Sequence, residues 1–112
     1  MHKNINKWIG EGQIKGDFTL RQTQNNYKVT NFLLKIDTSY KVTDQDTSLA
    51  SYKEETVYIP VVAWNDLAEN IVNKYSTNDV VRVIGRLKNC SKSLTKPGWE
   101  VVLEDISLIK SC

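Results

Sequence analysis

Histidine and cysteine are scarce in these 112 residues, and both shortages close off classes of chemistry. The single histidine, His2, leaves no Ser–His or Cys–His pairing for nucleophilic catalysis. Cys90, in a polar stretch, and Cys112, the last residue, are with His2 too few and too scattered to suggest a metal site. A disulfide between them is open in principle, but two free thiols fit a reducing compartment. No apolar run approaches the roughly 20 residues of a membrane span, and the opening MHKNINKW lacks the apolar core of a secretory signal. No glycine-rich phosphate cradle, internal repeat or low-complexity segment is present. A paired-carboxylate site stays open, yet nothing points to one. The expectation is an intracellular protein that is not an enzyme, needs no cofactor or metal and makes no use of a membrane.

An excess of charge is missing too. Fifteen basic residues stand against 13 acidic ones, a net charge of +2, so binding to a polyanion would need local clustering. Arg82, Arg86, Lys88, Lys92 and Lys96 do follow one another, while acids gather at Asp44, Asp46, Glu54 and Glu55. With 40% apolar and 25% charged residues, the composition is that of one globular domain, 1–112, with its core over about 5–109.

The chain is organised around Thr56 to Tyr75. As a strand, its first half puts Val57, Ile59, Val61 and Ala63 on a small apolar face, and Tyr58, Pro60, Val62 and Trp64 on the other. Pro60 cannot donate to a ladder and argues for an edge or a bulge. A helix follows at once, capped by Asn65 or Asp66, with Leu67, Ile71, Val72 and Tyr75 at the helical period and Glu69, Asn70, Asn73 and Lys74 on the wet side.

Before this joint, Ile5 to Arg21 reads as a long first strand whose Gly10, Gly12 and Gly16 mark bends that let one strand serve two sheets. Gln24–Asn26 is a turn, and Tyr27 to Tyr40 a second strand with Phe32, Leu34 and Ile36 inward. Lys41 to Lys53 reads as a long hairpin loop. After the helix, closed by Ser76–Asn78, Asp79 to Leu87 is a fourth strand with Val81, Val83 and Leu87 inward and a bend at Gly85. Asn89 to Gly98 is a second long loop. Trp99 to Ile109 is the fifth strand. There Val101 and Leu103 share one parity and Ile106 and Leu108 the other, which a bulge near Glu104–Asp105 reconciles. Five strands with one helix between the third and fourth give an all-β Greek-key barrel of the oligonucleotide/oligosaccharide-binding (OB) type.

The stretches INKWIGEG, NFLLKI, YIPVVAWNDLAENI, VVRVIGRLK and WEVVLEDI, in that order from Ile5 to Ile109, resemble the bacterial and organellar single-stranded-DNA-binding protein family. The resemblance implies an OB barrel that assembles into tetramers or dimers and binds single strands by stacking bases on aromatics over a basic surface. Carried over by position, the stacking residues are Tyr40, Tyr58 and Trp64. The family's aromatic in the last hairpin has its place near Lys92, so Trp99 is the nearest substitute. Arg21, Lys35, Arg82, Arg86, Lys88, Lys92 and Lys96 are the candidate phosphate contacts. Trp8, where the family is aliphatic, is expected to be structural. The family's acidic tail does not follow Ile109, which leaves a short paralogue, a plastid-type or phage-type member, or a relative of the primosomal OB dimer as readings. The expected roles are therefore single-strand protection in replication, recombination or repair, in a nucleoid or an organellar stroma, or a module acting mainly through replication-restart proteins. Leu33 and Ile84, apolar on outward parities, are expected at a subunit contact.

Overall fold

The alternating and β-branched stretches form six strands around one helix in a computed structural model that describes residues 2–43, 49–90 and 98–112. In chain order these are β1 (Trp8–Lys15), β2 (Arg21–Gln22), β3 (Lys28–Thr43), β4 (Ala50–Trp64), α1 (Asp66–Lys74), β5 (Val80–Asn89) and β6 (Trp99–Lys110). They join one sheet in the order β1-β5-β6-β4-β3-β2, and a further β1–β3 pairing brings the far sides together. This is the expected OB barrel, with its helix between the two longest hairpins.

β1 does serve two neighbours. Trp8–Gln13 pairs with β5, and Gln13–Lys15 pairs with β3. The long first strand nevertheless stops early, because Gly16 takes φ 98° and turns the chain out of the ladder. What was expected as one strand to Arg21 is β1 plus the two-residue β2. Gly12 permits the switch of partner by close approach: a Cβ there would lie 2.2 Å from the Lys35 carbonyl oxygen.

The core is built from the inward parities. Ile14, Phe32, Leu34, Val61, Ala63, Val81, Val83, Val101, Leu103 and Ile106 are buried, and α1 adds Ala68 and Ile71. Trp8 is half-buried against this cluster, as expected of a structural residue. Asn65 sits at the start of α1 without a side-chain cap, contrary to the capping expected of it. Its Oδ1 instead accepts the Lys28 N–H at 3.2 Å while its own N–H donates to the Lys28 carbonyl at 2.8 Å, tying the helix to β3.

Two further expectations are corrected. Lys41–Thr43 and Ala50–Lys53 are strand rather than loop, because the β3–β4 register runs without a slip from Val29↔Trp64 to Thr43↔Ala50. Leu87 and Leu108 keep the inward parity of their strands but are exposed. Parity sets the side of the sheet, and both residues lie beyond the buried stretches of β5 and β6. The expected bulge is present: β6 passes from Asp105 to Leu103 where β5 passes from Ile84 to Gly85, leaving Glu104 as the extra residue. Among the described residues no helix is long and apolar enough to cross a membrane, and Cys90 and Cys112 are free thiols.

Candidate nucleic-acid interface

The face of β4 that turns away from the core carries Tyr58, Pro60, Val62 and Trp64. The antiparallel ladder sets Lys35, Leu33, Asn31 and Val29 of β3 directly opposite them. Directly opposed residues project to the same side of a sheet. Tyr58 is therefore beside Lys35, and in the next strand Gln13 of β1 is opposite Lys35. Tyr58 is 55% exposed, so its ring is available at the surface, whereas Ile59 next to it packs on the core. Pro60 has no N–H to give, and it lies just before the two residues, Val61 and Val62, at which β4 gains its second neighbour β6.

A row of opposed residues crosses this outer face. Arg86 of β5 is opposite Val102 of β6, Val102 is opposite Val62, and Val62 is opposite Asn31. Val29, Val62 and Val102 form a small buried apolar cluster on that side. The Arg21 guanidinium donates to Asn31 Oδ1, and Arg21 is itself opposite Val29. Trp64, also opposite Val29, is 37% exposed, so part of the ring covers the barrel and part faces solvent. Lys88, opposite Glu100, lies one step along from Arg86 on the same side.

Acids accompany most of these cations. Lys35 Nζ lies 3.7 Å from Asp37, Arg82 is 3.2 Å from Glu11, and Arg86 is 3.9 Å from Glu104, which also meets Lys7 at 3.2 Å. All are solvent-accessible pairs, the kind worth at most about 1 kcal/mol and exchanged readily for another anion. Arg82 stands apart from the row, on the β1–β5 side of the barrel.

The structure thus gathers Tyr58, Trp64, Arg21, Lys35, Arg86 and Lys88 on neighbouring outward positions. Tyr40 and Trp99 are exposed but on the opposite parity: Tyr40 faces Lys53, and Trp99 shares its side with Val101 rather than Val102. Lys92 and Lys96 lie outside the described residues. One aromatic escaped the sequence reading. Tyr52, 72% exposed, has the same parity as Tyr58 and Trp64 and was hidden by the assignment of its segment to a loop. Among the described residues, two shifted titrations lie elsewhere, at the foot of α1. Burial and the nearby Asp105 and Asp79 raise the Tyr75 phenol, and backbone N–H donors hold Asp79 low.

A model of the single-strand binding protein family matches residues 5–108. The single-stranded DNA-binding protein of Streptococcus pneumoniae is 28% identical over 112 residues, covering 96% of this chain and 67% of that protein. The protein of the same name from Caldanaerobacter subterraneus subsp. tengcongensis is 28% identical over 110 residues, covering 95% of this chain and 69% of its own. Among solved structures, a Plasmodium falciparum SSB complex with ssDNA matches with a TM-score of 0.74 at 20% identity, covering 98% of this chain and 99% of that one. At that identity the structural match speaks for the fold.

Proposed function

This chain belongs to the single-strand binding protein family, and from that premise we propose that it binds single-stranded DNA without sequence preference, protecting it during replication, recombination or repair. The observation that carries the reading is the Tyr58–Lys35 pair, an exposed ring beside a cation, with Trp64 further along the same outward face. Every base has a π-face, so a ring that stacks on one base accepts any, at about 1–3 kcal/mol per base. Arg21, Lys35, Arg86 and Lys88 supply the salt-dependent attraction for phosphates, with Arg82 as a more distant contributor. Tyr40 and Trp99 would engage a strand only where it passes to the other side of the ribbon. No catalytic step is part of this reading.

One barrel, over about residues 5–109, carries the whole face. Exposed Ile9, opposite half-buried Ile84, supports assembly into a dimer or tetramer through the β1–β5 side, whereas Leu33, expected at the same contact, lies opposite Pro60 on the face given to DNA. The compartment is wherever single strands arise, a nucleoid or an organellar stroma.

Titration with oligo-dT, followed by tryptophan fluorescence at several salt concentrations and against a duplex control, tests the proposal. Single strands alone should quench, with affinity falling at a log–log slope of about −0.7 per phosphate contact. Tyr58→Ala should weaken binding by about tenfold, and Lys35→Ala should flatten the salt slope by roughly one contact. Equal response to duplex and single strand would sink the reading. Attention would then turn to protein partners, as in a primosomal module.

A further inference from the structure

The β3–β4 ribbon continues beyond the barrel, and its outward side repeats. On β4 the aromatics Tyr52, Tyr58 and Trp64 are spaced six residues apart. On β3 the residues opposite them, Lys41, Lys35 and Val29, are spaced by six as well. An even interval keeps every member on one face of the ladder. Two of the three aromatics have a basic residue directly across, and the third shares its partner with one. Lys41 is opposite Tyr52 and Lys35 is opposite Tyr58, while Trp64 and Arg21 both lie opposite Val29.

Resting on the single-strand reading above, we propose that Tyr52 and Lys41 form a third base-stacking and phosphate-holding station, extending the DNA site from the barrel onto the β3–β4 arm. Tyr52 does little for the fold. It is 72% exposed, and the residue facing it is a lysine, not the aromatic or β-branched partner that would stabilise a ribbon. Lys41 makes no ion pair among the described residues, unlike Lys35.

The spacing suits a drawn-out strand. Six strand residues span about 20 Å. A single strand stretched to roughly twice the duplex rise of about 3.4 Å per nucleotide puts about three nucleotides in that interval. Between Tyr58 and Tyr52 the same side carries Asp37, Ser39, Glu54 and Thr56, which together with Thr38 and Glu55 of the other parity line a shallow acidic hollow of about 430 Å³. Thr56 Oγ1 donates to Asp37 there at 2.6 Å. Phosphates are repelled from that stretch and drawn to the lysines at its two ends, so the arm holds a strand at separated points.

Oligo-dT of about five nucleotides reaches two stations, and one of about ten reaches all three. Binding of both to the wild type, Tyr52→Leu and Tyr52→Trp tests the proposal, with melting and sedimentation confirming fold and assembly. All three proteins should bind the shorter oligo alike. For the longer one, Tyr52→Leu should lose about tenfold in affinity, and Tyr52→Trp should restore it with quenching of the new tryptophan. A loss under about threefold on the longer oligo, or an equal loss on both, overturns the third station. A change of assembly state in Tyr52→Leu overturns it too, by making Tyr52 a subunit contact. If the wild type shows no preference for single strands over duplex, the underlying single-strand reading has failed instead, and the two failures are distinct.

Discussion

Asp79 shows how much one side chain can gather. Its carboxylate accepts the Ser76 N–H at 2.9 Å, just past α1, and the Cys112 N–H at 3.0 Å, just past β6. Two backbone donors favour the charged form, so its pKa lies below the ordinary 3.8. A depressed carboxylate contributes stability that is complete above its unfolded pKa and is lost as pH falls through the lower, folded one. Urea melts from pH 7 downwards should therefore show a loss below about pH 4, and Asp79→Asn should be less stable at pH 7 and flatter through that acid window. Tyr75 acts at the other end of the scale. Its raised pKa means that stability is present below the ordinary 10.0 and falls as pH rises beyond it. Neither role was legible in the sequence. Asp79 read only as the start of a strand, because the donor from residue 112 is set by tertiary placement and not by any local pattern.

At the scale of elements, the bulge was legible and the arm was not, for the same reason. β6 buries Val101 and Leu103 on one parity and Ile106 on the other, and a change of parity in a strand that must stay on one core requires an extra residue. The outer arms of β3 and β4 are exposed on both sides, so no apolar alternation distinguishes them from a loop. Tyr52 was lost with them. Gly85 stands opposite Leu103 at the bulge, and a Cβ on it would lie 2.3 Å from the Val102 carbonyl oxygen and 2.7 Å from the Val101 side chain. The obstruction is backbone, which cannot rotate aside. Gly85→Ala should cost about 1–3 kcal/mol through forced packing, read as a lower urea midpoint at unchanged slope. The aromatics on the outer face of β4 would keep their spacing, so single-strand affinity at low denaturant should change little.

For the molecule as a whole, the strand–helix–strand joint was readable because its three parts differ in period, and the ordered motifs extended that reading to the barrel. Closure was not readable, since it depends on two short contacts. Among the described residues, the β1–β3 pairing is three residue pairs long, and the parallel β4–β6 seam joins Val61 to Val101 and Val62 to Val102. That architecture has a kinetic consequence. Trp8 pairs with Gly85, and Val61 with Val101, so the barrel cannot close until distant parts of the chain have met. Loop closure must precede the contacts that reward it, which places refolding in the millisecond-to-second range typical of barrels rather than the microseconds of helical bundles. Stopped-flow dilution from urea measures this directly. On the ribosome the order is fixed by synthesis. The β3–β4 ribbon can zip as soon as Trp64 emerges, while most of β1 waits for β5 to be made, so the ribbon is the first part of the protein to take shape and the closed barrel beneath it the last.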